Sequence, residues 1–329
     1  MNKLEYKKGI QTNNKMVAFL RENLGIIIAL FALCILLSVS PETSSSFLTS
    51  KNMFNILRQV STNMLIACAM TMVIILGGID LSVGSIIALS GVIAAGCVSR
   101  YNLPIAVALV AGVLIGLVIG LFNGIVICRT TIPAFIVTLA TMNIARGLAK
   151  VYTGGSPVRV VTKEWQFIGG GYIGIIPVPV IIMIIVIIIS SLMMNRTKLG
   201  RHIYAVGGNA QAAKFSGIKV AKVKFLVHVY TGIMAGLAGV ILASRMYSGQ
   251  PTAGEGAEMD AIAAVVVGGT SMSGGSGKIG GTIIGALIIG VLNNGLNLMN
   301  VNSFWQDVVK GIVILLAVFV DYIRSKKGL

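Results

Sequence analysis

The sequence predicts an all-α, polytopic membrane protein with about ten transmembrane helices and both termini cytoplasmic. Hydrophobic residues make up 56% of the 329 and charged residues only 11%, whereas a soluble chain needs about a quarter of its residues charged to cover its surface. Mean hydropathy is +0.92, and the same figures exclude disordered, collagenous and disulfide-scaffold classes. Long unbroken apolar runs, such as the isoleucine-rich 180–191, fit helices of about 20 residues. They do not fit the alternating ~10-residue segments of a transmembrane barrel.

Residues 1–21 are rich in base (Lys3, Lys7, Lys8, Lys15, Arg21) and read as a cytoplasmic tail. The run near 22–40 imitates a signal peptide, with Ser38 and Ser40 at its end. Its long basic lead and the apolar stretches beyond it favour an uncleaved first span. Residues 52–60 can form a short amphipathic helix before the second stretch, 60–78. There follow 82–99, 103–127, 133–150, 174–194, 223–243, 259–273, 279–298 and 306–323. The stretch 259–273 is the weakest, being short and glycine-rich.

Between the second and third stretches stands Gly77-Gly78-Ile79-Asp80-Leu81-Ser82. The glycines break the helix. Asp80 or Ser82 then either caps the next helix by accepting a backbone N–H, or belongs to a broken helix that lines a polar path. Gly112, Gly116, Gly120 and Gly124 form successive GxxxG steps, and Gly232 and Gly236 repeat the step. That spacing lets helix backbones approach closely, chiefly for packing within the subunit and alternatively at a subunit interface.

Basic residues set the orientation. With the N-terminus inside, 17 of the 26 lysines and arginines fall on cytoplasmic segments, including Arg324, Lys326 and Lys327 at the C-terminus. The net charge of +16 therefore marks inner loops and not a nucleic-acid partner. The largest outer loop, 151–173, holds Trp165 and Tyr172 as candidate interface aromatics. The largest inner loop, 195–224, holds seven basic residues and no acid. Within it Gly208-Asn209-Ala210-Gln211-Ala212-Ala213-Lys214-Phe215-Ser216-Gly217 reads as a short helix, capped by Asn209 and ended by Gly217 in the left-handed conformation. It is either an interfacial helix or a docking helix for a cytoplasmic partner.

Intramembrane charge is sparse, which argues against a proton-coupled pump. Asp80 is the clear candidate; Asp307 with Lys310, and Asp321 with Arg324, sit three apart and pair along the last helix. Ser82, Ser85, Asn123, Asn143, Asn293, Asn294 and Asn297 add uncharged hydrogen-bonding groups that suit a path for a polar solute or cross-link helices. No catalytic constellation and no metal site is expected. Cys34, Cys68, Cys97 and Cys128 lie far apart in or beside apolar runs and read as small hydrophobes. Gly275-Ser-Gly-Lys-Ile-Gly280 matches a dinucleotide fingerprint in spacing but lacks the βαβ context and the later acid, and it is not a Walker loop. Gly274-Gly-Ser-Gly277 resembles an intramembrane protease motif, but His202 and His228 both precede its serine.

Three separated motifs carry a family resemblance. Gly77-Gly-Ile-Asp-Leu-Ser-Val-Gly-Ser85, the inner loop from Leu199 to Ile218, and Ala264-Val-Val-Val-Gly-Gly-Thr-Ser-Met-Ser-Gly-Gly-Ser-Gly-Lys-Ile-Gly-Gly281 resemble permease subunits of bacterial ABC importers for sugars. Asn293-Asn-Gly-Leu-Asn-Leu and Phe304-Trp-Gln-Asp-Val-Val-Lys-Gly311 are similar to those for ribose in particular. The resemblance covers nearly all of the chain after the first 20 residues, as one permease domain over 1–329. It implies a multi-pass protein of the bacterial cell (inner) membrane and a homodimer around a central path. It also implies two cytoplasmic ATPase subunits and an extracytoplasmic sugar-binding protein. The chain itself would hold no cofactor, ATP and Mg belonging to the ATPase. The resemblance assigns Gly208–Gly217 to ATPase coupling. The outer bases Arg58, Arg159 and Lys163 are candidates for docking the binding protein. The competing expectation is a self-sufficient carrier or facilitator for a small polar solute.

Overall fold

Prolines and small capping residues divide the chain into helices. The computed structural model describes residues 23–326, so the basic tail read over 1–21 lies outside the described residues, as does Lys327. In chain order the helices are α1 Leu24–Val39, α2 Ser44–Phe47, α3 Ser50–Ile75, α4 Val83–Ser99, α5 Ile105–Arg129, α6 Ala134–Thr153 and α7 Lys163–Gly170. They continue as α8 Val178–Arg196, α9 Lys198–Gly208, α10 Ala210–Phe215, α11 Val220–Arg245, α12 Ala257–Val267, α13 Ile279–Leu298 and α14 Ser303–Lys326. Pro104, Pro133 and Pro177 stand immediately before α5, α6 and α8. Proline has no N–H to leave unsatisfied there, and its φ suits a helix entry. Thr49 caps α3 through the Asn52 N–H at 3.3 Å. Gly154, at φ +62°, ends α6 in the left-handed region.

Each predicted apolar stretch coincides with a helix. Six of these, α3, α5, α6, α8, α11 and α13, are long and apolar enough to cross a membrane. α1 and α4 are apolar but shorter, at 16 and 17 residues. α12 has 11 residues, about 16 Å at 1.5 Å per residue and roughly half of a ~30 Å hydrocarbon layer. The expected amphipathic helix at 52–60 is not separate: it is the first part of α3, which runs without interruption to Ile75. Two short antiparallel ribbons depart from the all-α expectation: β1 (Val158–Arg159) pairs β4 (Ser248–Gly249), and β2 (Tyr172–Ile173) pairs β3 (Ile176–Pro177).

α3 is the central helix. Every residue from Met64 to Ile75 is buried, as expected of a helix that is apolar all round. α8, α11, α12 and α13 pack beside it. α5, α6, α8 and α14 expose large apolar side chains such as Leu114, Leu148, Ile185 and Phe319. Faces of that kind are solvated by lipid tails. The glycine stripe of α5 lies on α11: an added Cβ at Gly116 would collide with the Gly232 carbonyl, and one at Gly232 with the Gly116 carbonyl. The GxxxG steps therefore serve packing within the chain. Trp165 is a correction. It is fully buried, beside Val160, Val240 and Ala243, because α7 folds the outer loop back onto the bundle, where the Gly169 N–H donates to Ser244 Oγ at 2.7 Å.

Candidate functional site

The residues expected to line a path separate into two groups. The first is built on the break after α3. Gly77 turns the chain at φ +76°, and residues up to Ser82 run without helical structure. Asp80, Ser82, Ser85 and Asn123 are all buried. Asp80 Oδ1 accepts from the Ser82 N–H at 2.9 Å and from its hydroxyl at 2.6 Å. Asn123 Nδ2 donates to Ser82 Oγ at 3.0 Å, and Thr141 Oγ1 donates to Asn123 Oδ1 at 2.7 Å. The Leu81 N–H donates to Thr138 Oγ1 at 3.1 Å. Asp80 and Ser82 thus do not cap α4 through its first turn, since the Ser82 side chain makes no cap bond. They tie the break to α5 and α6.

Asn123 stands six residues before the C-terminal end of α5, about 9 Å along its axis. The break therefore lies inside the bundle and not at its edge. The sequence reading missed Thr138 and Thr141. Their signal was a pair three apart, hence on one helix face. A cavity of about 320 Å³ borders this group, lined by Gly77, Gly78, Ile79, the α5–α6 turn, Lys224 and His228.

The second group joins α12, α13 and α14. Lys310 Nζ lies 3.5 Å from Asp260 Oδ1 and 3.7 Å from Asp307 Oδ1. The predicted Asp307–Lys310 contact is present, but Lys310 also reaches Asp260 on α12. Asn293 Nδ2 donates to Asp260 Oδ2 at 3.2 Å. Asn294 and Asn52 exchange amide hydrogen bonds at 2.8 and 2.9 Å. A second cavity, about 230 Å³, lies between α3, α4, α11, α12 and α13 and is lined by Gln59, Thr62, Asn63, Arg245, Asp260 and Asn293 among others.

Two expected path residues fall outside both groups' interiors. Asn143 is exposed, and its amide donates to Leu139 O within its own helix at 3.1 Å. Asn297 is exposed and accepts from Gln306 Nε2 at 3.0 Å. Asp321 does not stand with its helix alone: Oδ2 accepts from the Met272 N–H at 3.2 Å and from Ser271 Oγ at 3.4 Å. It holds the glycine-rich connector before α13, and the Arg324 side chain lies outside the described residues.

The inner loop forms α9 and α10 as a bent pair. Asn209 Oδ1 accepts from the Ala212 N–H at 2.9 Å, and Gly217 adopts φ +84°, as its sequence predicts. Ala213 is buried, whereas Ala210, Gln211, Ala212, Lys214, Ser216 and Gly217 are exposed and Phe215 is 89% exposed. Gly208 has open space around it, but a Cβ at its neighbour Gly207 would collide with the Ile75 carbonyl. The Gly275 N–H donates to that same carbonyl at 2.8 Å. The Tyr204 hydroxyl donates to Gly277 O at 2.8 Å. Burial pushes that hydroxyl above its ordinary range, so it remains a donor. The hairpin, the connector and the end of α3 thus meet at one junction, directly before the Asp80 break.

At the opposite end, Arg159 and Lys163 are exposed. Arg58 is half-buried, with its guanidinium 4.6 Å from the Tyr172 ring centre. Among the described residues no cluster of three or more His, Cys, Asp or Glu could hold a metal ion.

The chain is 49% identical to the ribose import permease protein of Bacillus subtilis, over 96% of this chain and 98% of the relative. It is 48% identical to that of Escherichia coli strain K12, over 89% and 92%. The xylose transport system permease protein of Haemophilus influenzae is 35% identical, over 93% and 98%. No solved structure gives a significant match. Residues 52–318 match the family model described as the permease component of branched-chain amino acid transport systems. This match takes in the Asp80 break, both polar groups and the inner hairpin, and the chain belongs to that family of multi-pass membrane permeases.

Proposed function

We propose that this chain is the membrane subunit of an ATP-driven importer and forms the path for a monosaccharide, ribose first, handed over by an extracytoplasmic binding protein. The near-half identity to ribose import permeases over almost the whole chain carries this reading. The family description names amino acids, so membership alone does not choose the cargo. The lower identity to a xylose permease favours ribose among pentoses. ATP and Mg belong to a separate cytoplasmic ATPase, and a second copy of the chain completes the importer.

Ten spans with both termini inside remain the reading, with α12 as a half-length member. The concentration of basic residues on the segments then facing inward supports it. Asn209–Ser216 is the coupling helix: a capped, rigid element with an exposed phenyl ring suits docking into a cleft of the ATPase. Gly208 and Gly217 bound it. Arg58, Arg159 and Lys163 serve the binding protein, mainly by steering its encounter. Asp80, Ser82, Ser85, Asn123, Asn143, Asn293, Asn294 and Asn297 were the candidate path residues. The exposed positions of Asn143 and Asn297 favour the buried members. The subunit needs little affinity for sugar of its own, because a tight site would slow release.

Reconstitution in liposomes tests the proposal. ATP-dependent ribose uptake is expected only when the ATPase and the binding protein are both present. Uptake by this chain alone would instead make it a facilitator.

A further inference from the structure

Buried threonines in a helix usually silence their hydroxyl on the carbonyl four residues back. Thr71, Thr153 and Thr231 do so, at 2.8–2.9 Å. Thr62 does not: its Oγ1 is buried without any hydrogen-bond partner. It lines the 230 Å³ cavity between α3, α12 and α13, as do Asn63 and Asn293, whose Oδ1 atoms are also buried and unpartnered. Thr62 and Asn293 are each 7% exposed.

The orientation of Asn293 follows from chemistry. A carboxylate only accepts, so the Asn293 amide nitrogen must face Asp260 and its carbonyl oxygen must face away. The charge balance around the cavity is also set. Asp260 is paired with Lys310 and hydrogen-bonded to Asn293, while Arg245 lines the cavity from α11 and its Nη1 donates to the Arg58 carbonyl at 3.4 Å. The one acid is countered and a guanidinium stands opposite it, so the cavity is not built for a cation. What lacks a partner is a set of neutral oxygens. In the Asp80 group, by contrast, Asp80, Ser82, Asn123 and Thr141 bond one another, and Ser85 Oγ is the one buried side-chain atom of that group left without a partner.

We propose that this chamber is where a neutral, polyhydroxylated solute is held in passage. Its hydroxyls donate to Asn63 Oδ1 and Asn293 Oδ1 and exchange a hydrogen bond with Thr62. This rests on the importer reading and names the part of the subunit that meets the cargo. A volume of 230 Å³ is below the roughly 300–1,000 Å³ of pockets for drug-sized ligands, which limits the chamber to one small solute. Thr62 lies on the fourth turn of α3, so the chamber is entered well below the outer end.

The test uses the full importer in liposomes, with radiolabelled ribose uptake and ATP hydrolysis measured together. Thr62→Val is expected to lower uptake per ATP by about five- to tenfold, the worth of one hydrogen bond. Thr62→Ser, which keeps the hydroxyl, is expected to restore it, with ATP hydrolysis stimulated by the binding protein in both. Thr62→Phe, which fills the chamber, is expected to abolish uptake while stimulated hydrolysis persists. Equal uptake by the valine, serine and phenylalanine variants would overturn the chamber. Dependence of uptake on sodium, shown by its loss in choline, would assign the oxygens to a cation and overturn it too. If the unaltered importer gives no ATP-driven uptake, the importer reading itself fails.

Discussion

At the scale of single residues, the decisive quantity is whether a buried polar group has a partner. Asn123 bonds Ser82 on one side and Thr141 on the other. Asn123→Ala removes both bonds while Ser82 Oγ still meets Asp80 and Thr141 Oγ1 still meets the Val137 carbonyl, at a cost of about 0.5–1.5 kcal/mol for each hydrogen bond lost. A clearly lower unfolding temperature in detergent is the expected outcome, whereas Asn143→Ala, at an exposed position, should leave it unchanged. Asp80 acts as an acceptor toward Ser82. Asp80→Asn should therefore keep most of the stability that Asp80→Leu loses. Equal losses in the two variants would mean that the charge, and not the acceptor, holds the break.

At the scale of elements, glycine decides which helices touch. Gly116 and Gly232 bring α5 and α11 into backbone contact. Gly116→Val should destabilise the protein by about 1–3 kcal/mol through overpacking, read as lost monodisperse yield after extraction. The inner hairpin meets the end of α3 through Gly207, with Gly275 bonded to the same Ile75 carbonyl. A displacement of α10 would reach α3 and the Asp80 break by rigid-body movement, since packed backbones have no slack to absorb it. Ala212→Arg places a long cation on the exposed side of α10 and should abolish ATP hydrolysis stimulated by the binding protein while membrane insertion stays normal. Gly207→Val should uncouple hydrolysis from uptake instead, because it strikes the junction behind the docking face. The two phenotypes are separable by measuring hydrolysis and uptake on the same liposomes.

At the scale of the whole molecule, a buried central helix is surrounded by helices with apolar outer faces. Such an arrangement suits lipid on the outside and an apolar core interrupted by the two polar groups. A fluorescent protein fused after Leu329 should fold and fluoresce in cells, while alkaline phosphatase at the same point should be inactive. The opposite pair of results would reverse the assigned orientation.

The helices were readable from the chain because an apolar run long enough to span lipid has few other ways to satisfy its backbone. The caps at Asn209 and Gly217 were readable for a related reason: a cap bonds within its own few residues, so the chemistry and the partner are printed side by side. The family motifs were likewise contiguous. Partners distant along the chain were not readable. Asp260 meets Asn293 across 33 positions, and Lys310 adds a third helix. Trp165 looked like an interface aromatic and is instead buried, since nothing local announces that α7 folds back onto α11. Membrane class, helix positions and local caps followed from composition and short-range chemistry. Only the tertiary packing decided which polar atoms are paired and which are left facing a cavity, because that depends on how neighbouring helices cross.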